Sequence, residues 1–422
     1  MNITSNQFTG WQLNLFILQK FLIYLLPIAL ITGSFFSDLF AVISSIIFVI
    51  LSLSNKQYFY YKNKIFIIFI LWSLYLIIRS LFAEDIILSL ESSLFYWRFG
   101  FFALSIWYIL DNDKNFSKKF TLFFVFCYLL ICIDGYYQFL TGQNLLGYHW
   151  NYKRLTGLFG SEHILGSYLS RLFPIFFALI AYSFHKNKFL MLFSMCILIA
   201  TDLLIYLSGE RSSFFYLFLS TLLIVILINR WKKIRLITFI ISIILIIFIT
   251  YNYPKTKERM IDTTLEQTNI LGDKINAFSP KHNQQYSSAI KMIKDKPIIG
   301  VGPKMFRKLC KHWKYSTPGA CTTHPHNTYI QLLAETGIIG FMPVMILFLY
   351  INFVLIKQAW FLFIKRKIFL TDAQLCLFVA LYITLWPFVP TGNFFHNWLN
   401  VIYFLPIGFL FHFYYNEKHE LN

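Results

Sequence analysis

Apolar runs long enough to cross a membrane recur along almost the whole of this 422-residue chain. They fall at roughly 12–33, 35–54, 65–82, 94–111, 119–140, 164–184, 189–207, 212–229, 235–252, 327–356, 371–390 and 398–415. A bilayer core is about 30 Å thick, so one helical span takes about 20 residues. Each run is continuous and does not alternate over ten-residue pieces, which argues against a β-barrel. The chain reads as an all-α integral membrane protein of about twelve transmembrane helices. Composition agrees, with 57% hydrophobic and 13% charged residues, where soluble globular chains hold about 45–50% and about 25%. That excludes an ordinary soluble enzyme, a disordered chain and a coiled coil. The net charge of +18 would point to nucleic acid in a soluble protein. In a membrane protein it mostly reports orientation, so no nucleic-acid partner is expected.

Basic residues occupy every second short connection. They are Lys56, Lys62 and Lys64; Lys114, Lys118 and Lys119; Lys186 and Lys188; Arg230, Lys232, Lys233 and Arg235; and Lys357, Lys365, Arg366 and Lys367. The connections between are nearly free of them, and 83–93 is acidic, with Glu84, Asp85 and Glu91. Cytoplasmic loops hold the excess of Lys and Arg, so both termini are expected in the cytoplasm. Residues 1–10 lack Lys and Arg and no small-residue cleavage site follows, so the first span is expected to be retained.

One long connection breaks the alternation. Residues 253–326 carry 13 Lys/Arg against 5 Asp/Glu, on the face opposite the termini. Long loops escape the rule, so the topology stands. The expected organisation is nine transmembrane helices over 1–252, a loop with short helices over 253–326, and three more helices over 327–422. The basic loop is either a solvated lysine-rich surface or a field that attracts an anionic substrate or lipid headgroup.

Arg79, Arg98, Asp134, Arg171, Asp202, Arg211 and Glu335 all fall in the half of the spans nearest that loop. Ionisable groups there are costly and usually functional. Snorkelling to the interface accounts for an arginine near a helix end, such as Arg79 or Arg98. Arg171 and Asp202 lie deeper and are expected to line a polar cavity opening outward, with arginine–acid pairs inside it. Several arginines at fixed positions suit a phosphate or diphosphate, which a guanidinium grips through two parallel N–H bonds.

Cys127, Cys132, Cys196 and Cys376 lie in spans and read as packing residues. Cys310 and Cys321 lie eleven positions apart in the loop, where an oxidising compartment would let them pair. No metal-ligand spacing is present, so neither metal nor cofactor is expected.

The richest stretch runs from His282 to Gly340. Residues 282–296 form an amphipathic pattern with Tyr286, Ala289, Ile290 and Ile293 on one face. Pro297 and the turn Gly300-Val-Gly-Pro303 end it, and a second short helix is expected from Lys304 to His312. Pro325 biases His324 toward extended geometry and suits a helix start. His326 then stands at the helix entrance over the cavity, with Asn327 placed to orient it. Its imidazole can take a proton near neutral pH. Two readings fit these residues equally: a helix cap or a catalytic base.

His-Pro-His-Asn-Thr-Tyr-Ile-Gln-Leu-Leu-Ala-Glu-Thr-Gly-Ile-Ile-Gly at 324–340 resembles the histidine motif of the O-antigen ligase and O-antigen polymerase (Wzy) family. Asp295-Lys-Pro-Ile-Ile-Gly-Val-Gly-Pro-Lys-Met-Phe306 resembles that family's loop segment, Ser208-Gly-Glu-Arg211-Ser-Ser its arginine motif, and Arg154-Leu-Thr-Gly157-Leu-Phe-Gly160 the motif before its middle spans. The order matches, and the resemblance covers roughly 150–345.

The resemblance implies a GT-C type glycosyltransferase of the bacterial inner membrane, with the large loop in the periplasm. It implies a donor glycan on undecaprenyl diphosphate and no metal. The acceptor would be lipid A–core oligosaccharide for a ligase, or another repeat unit on its carrier for a polymerase. By motif, Arg211 grips the diphosphate and His326 activates the acceptor hydroxyl. Many members carry an arginine in the loop helix just before an aromatic. This chain has His282-Asn-Gln-Gln-Tyr286 there, so His282, Lys281 or Arg154 is expected to substitute. Arg98, Arg171, His324, Asn327 and Glu335 are expected to complete the substrate site. A ligase is favoured; the alternatives are the polymerase and a secondary anion transporter. A transporter would show broken helices and inverted halves, and neither is legible in the sequence.

Overall fold

The computed structural model describes residues 8–150, 154–184, 187–268 and 278–420. Lys186 and the middle of the long connection, 269–277, lie outside the described residues. The described residues are helical, with one isolated bridge between Gln143 and His149. In chain order the helices are α1 (Gly10–Tyr24), α2 (Leu26–Ile31), α3 (Ser34–Ser54), α4 (Lys64–Leu81), α5 (Ile86–Ser93), α6 (Arg98–Asn112), α7 (Phe116–Thr141), α8 (Leu165–Phe184) and α9 (Lys188–Leu207). Then come α10 (Arg211–Leu227), α11 (Lys232–Asn252), α12 (Pro254–Lys257), α13 (Thr263–Thr268), α14 (Pro280–Asp295), α15 (Phe306–Leu309), α16 (Thr328–Phe363), α17 (Asp372–Thr384) and α18 (Asn397–Glu420).

Eight of the helical stretches described are long and apolar enough to cross a membrane: α3, α4, α5 with α6, α7, α8, α9, α11 and α16. The apolar helices α10 and α17 are shorter. The first expected span is broken into α1 and α2 at Leu25, just before Pro27.

Local chemistry sets the helix starts. The first turn of a helix leaves backbone N–H groups without partners, and a side-chain oxygen accepts from them at Asn63 for α4, Asn187 for α9, Asn327 for α16 and Ser279 for α14, among others. Helices α6 and α8 are apolar and buried on nearly all sides, so they form the centre. A Cβ on Gly408 would come 2.6 Å from Ile106 Cβ, so α18 crosses α6 at the closest approach that a glycine permits.

The feature that positions the loop is a break in α16. Gly337 leaves helical geometry with φ 64° and ψ −170°, a conformation glycine tolerates. Residues 297–302 fill the gap. Val301 N donates to Ala334 O at 2.9 Å and Gly302 N to Glu335 O at 2.8 Å, while Ile338 N donates to Pro297 O at 2.9 Å. Tyr75 takes Thr336 O at 2.6 Å and Trp72 takes Gly340 O at 2.9 Å. A Cβ on Gly337 would lie 2.2 Å from Ile298 O, and one on Gly300 would lie 2.4 Å from the Glu335 carbonyl carbon. The glycines of two separate motifs therefore serve one backbone junction. The sequence reading found no broken helix; this one escapes because its partner strand is supplied from 40 residues upstream.

Arg79 clamps the same strand, with Nε 2.8 Å from Ile299 O and Nη2 2.7 Å from Gly300 O. Beyond it, α15 covers only four of the nine positions expected from Lys304 to His312. Cys310 and Cys321 are disulfide-bonded, with Cα atoms 5.2 Å apart.

Candidate active site

Two glycine turns bring the middle motifs together. Gln138 of α7 accepts from Thr156 N at 3.0 Å and Gly157 N at 2.8 Å. Gly157 has φ 51°, which strains a larger residue, and a Cβ there would lie 3.2 Å from Asp134 Oδ2. This pins the segment that carries Arg154 against α7. On the other side, Glu210 accepts from Gly166 N at 2.7 Å, Ser167 N at 3.0 Å and Ser213 Oγ at 3.0 Å, capping α8. A Cβ on Gly166 would strike Ser208 Oγ at 2.4 Å, so the two turns touch through a glycine. Burial pushes the Glu210 carboxyl up to about 7, against the hydrogen bonds from Gly166 and Ser213 and the charge of Arg154.

Cations gather above that cap. Arg211 opens α10 and reaches across to α13, with Nη1 3.0 Å from Thr264 Oγ1 and Nη2 2.7 Å from Gln267 Oε1. Arg259 donates to Gly209 O at 3.1 Å. Burial, then the charges of Arg154 and Arg211, hold Arg259 down to about 10, with Glu210 opposing. Arg154 and Arg259 also depress His163, which Glu162 raises. Arginines 154, 211 and 259 therefore share one neighbourhood, where Glu210 and Glu162 are the acids.

The histidines border it. In α14, Ser279 Oγ lies 2.8 Å from His282 Nδ1, and the His282 ring centroid stands 5.7 Å from that of His326. The His324 and His326 rings are 4.1 Å apart. Burial takes His282 down to about 4, helped by His326, Arg211 and Lys281. His324 is held at about 3, by burial and then His326. Burial and then Lys281 lower His326, with a hydrogen bond at Thr391 opposing. All three imidazoles are neutral at pH 7, so each can accept a proton. His326 itself is half-buried and takes φ 54°, a left-handed conformation that costs about 1–3 kcal/mol for a non-glycine residue.

Beneath the rings lies Thr391. Its N donates to His326 O at 3.0 Å, its carbonyl oxygen lies 3.3 Å from His324 Nε2, and its Oγ1 accepts from Arg171 Nη2 at 3.0 Å. Arg171 also donates to Ser167 Oγ at 3.1 Å, stacks its guanidinium 4.6 Å from the Tyr216 ring, and keeps Nη1 buried without a partner among the described residues.

The structure thus brings Arg154, Arg171, Arg211, His282, His324 and His326 to one end of the bundle. Three other sequence candidates have partners within the fold. Arg98 forms a two-pronged pair with Asp38 at 2.9 and 3.0 Å and donates to Asn397. Glu335 is wholly buried, accepting from Phe306 N at 3.1 Å and Gln331 at 3.0 Å; it seats the loop on α16. Asn327 caps α16 and donates to Pro387 O at 2.7 Å. The expectation of one charge-lined cavity also fails for two residues. Asp202 pairs with Arg235 at 2.8 Å inside the α9–α11 packing, and Asp134 accepts from Leu145 N at 2.8 Å.

Sequence reasoning missed Arg259, Glu210 as the α8 cap, and Thr391. Thr391 carried one signal: it sits in Pro390-Thr-Gly392, a polar break between two apolar runs.

No group of three or more His, Cys, Asp or Glu placed to hold a metal ion occurs among the described residues. No curated protein matches the chain. The apolar helices and the family match below together mark a membrane protein. The match points to an enzyme of glycan transfer in O-antigen assembly. Residues 195–345, which hold Arg211, Arg259 and all three histidines, match the family model described as O-antigen ligase.

Proposed function

We propose that the protein transfers a glycan from undecaprenyl diphosphate to an acceptor hydroxyl, as an O-antigen ligase, at the periplasmic face of the bacterial inner membrane. In this reading the fold is of the GT-C type with twelve spans, both termini are cytoplasmic, and the 253–326 loop is periplasmic. The observation that carries it is the convergence of Arg154, Arg211 and Arg259 on the side of a neutral His282–His326 pair.

The reaction needs two things. Charge develops on the diphosphate as the glycosyl C1–O bond breaks, and preorganised guanidinium groups in a water-poor site stabilise it. The acceptor hydroxyl is a weak nucleophile, and a positioned base helps by about 10²–10⁴-fold. His326 takes the hydroxyl proton, the acceptor oxygen bonds to C1, and the diphosphate leaves with the electron pair of the broken bond. Arg211, with Arg154 and Arg259, receives that charge. Arg171 and Thr391 hold His326 in place from below.

The break in α16 is the kind of feature a transporter uses. Here residues 297–302, with Tyr75 and Trp72, take its freed backbone groups, which supports a structural role for the break. Reconstituted protein given donor with either lipid A–core or a carrier-linked repeat unit tests the proposal. Product on lipid A–core alone is expected; product only on the carrier-linked unit makes the protein a polymerase, and product on neither ends the reading.

A further inference from the structure

The loop end holds a second recess, away from the arginine cluster. It is a cavity of about 310 Å³ bordered by Glu91, Lys304, Arg307, Asn393, His396 and Asn397. Ligand sites run from about 300 to 1,000 Å³, so it is of a size for one small group. Lys304 is neutralised by its ion pair with Glu91. Asn397 holds Asp38 and accepts from Arg98. Arg307 differs: its Nε is enclosed with no hydrogen-bond partner among the described residues. Glu335 is close enough to feel its charge, but the Glu335 oxygens are taken by Phe306 N and Gln331. An enclosed N–H donor without an acceptor is costly even on a half-buried side chain, and an incoming anion removes that cost.

The wall of the recess includes Asn393 and His396, in the connection that also holds Thr391, whose carbonyl oxygen meets His324. Arg307 and His396 act on His324, whereas Arg211 and Lys281 act on His282 and Lys281 on His326. His324 thus feels the cations of the recess, and His282 feels Arg211 of the arginine cluster.

We propose that this recess binds the anionic sugar of the acceptor, a saccharide bearing a phosphate, with Arg307 as its anion contact. It rests on the glycosyl-transfer reading. Donor diphosphate on one side of His326 and acceptor anion on the other would present the hydroxyl to C1 between them, and such positioning contributes rate by itself.

The test uses the full chain in nanodiscs of zwitterionic lipid, with glucose 6-phosphate, glucose and inorganic phosphate as probes followed by ligand-observed NMR. Glucose 6-phosphate should bind more tightly than either fragment. Arg307→Gln should weaken it about tenfold, the loss of one charged contact worth about 1.4 kcal/mol. Lys308→Gln should leave it unchanged. Equal binding by Arg307→Gln, inorganic phosphate binding as well as the sugar phosphate, or displacement by added anionic lipid would each overturn the assignment. In the transfer assay, Arg307→Gln should raise the acceptor KM about tenfold with the donor KM unchanged, and the advantage of a phosphorylated over a dephosphorylated acceptor should vanish. If the wild type transfers nothing yet the binding pattern holds, the catalytic reading fails and this site stands.

Discussion

Two arginines lie almost wholly inside the helical bundle and have opposite surroundings. Arg235 of α11 meets Asp202 of α9 through both prongs, at 2.8 and 3.0 Å, and Thr221 and Ser242 complete the group. Arg171 of α8 meets only hydroxyls and an aromatic face, and one of its nitrogens has no partner among the described residues. The first arrangement is closed: a buried charge with its counter-charge and every oxygen occupied. The second is open toward the histidines. Arg211 and Arg259 share that character, since each is held by neutral groups. Closed pairs hold helices together; in the proposed reaction the open cations receive the anion.

The comparison breaks most visibly at the closed pair. Asp202→Ala leaves Arg235 buried and uncompensated, and a loss of about 3–5 kcal/mol in unfolding free energy is expected in a denaturant titration. Replacing both partners with apolar residues should recover most of it. The open cations should behave in the reverse way. Arg211→Ala should lower turnover about 10²–10³-fold, with unfolding changed by no more than about 1 kcal/mol. Arg211→Lys should also be impaired, because a point charge lacks the planar fork. Wild-type turnover from either variant would remove Arg211 from the mechanism.

The histidines sharpen the comparison through pH. His326 is held below the ordinary imidazole value of about 6.5 and acts as the neutral base. Transfer should therefore rise with pH with a midpoint below about 6.5; a midpoint above about 6.5 contradicts this. A further test is the pH dependence of stability. His324 is held at about 3 in the fold, whereas the unfolded chain takes up that proton near 6.5. Its neutral form supports the fold fully above 6.5, and that support is lost as pH falls toward 3. The loss is about 1.4 kcal/mol per pH unit, read as a falling unfolding midpoint that His324→Gln flattens.

Helix positions were the most legible part of the sequence, because hydropathy acts locally. Runs at 164–184 and 189–207 became Leu165–Phe184 and Lys188–Leu207. The loop helix over 282–296 was legible from its apolar face and appears as Pro280–Asp295 with Ser279 as its cap. Pairings between distant helices were not. Arg235 read as a cytoplasmic-end charge, because nothing in its own run reveals Asp202, 33 residues away. Depth along a span was treated as a sign of function, yet depth alone does not separate Arg171 from Asp202. Whether a buried charge has its counter-charge decides that, and only the packing tells. Arg98, Asn327 and Glu335 make the same point: each is polar where polarity is rare, and the packing gives each a partner that its own run does not reveal.

The notch at Gly337 bears on how the protein is made. Residues 297–302 leave the ribosome before the helix they complete, and a helix broken at Gly337 cannot face lipid with bare carbonyls. The upper turns of α16 therefore become membrane-compatible only once the 297–302 ribbon has docked against them. Completing this helix is a two-part event, in which the ribbon supplies the partners that the broken turn lacks.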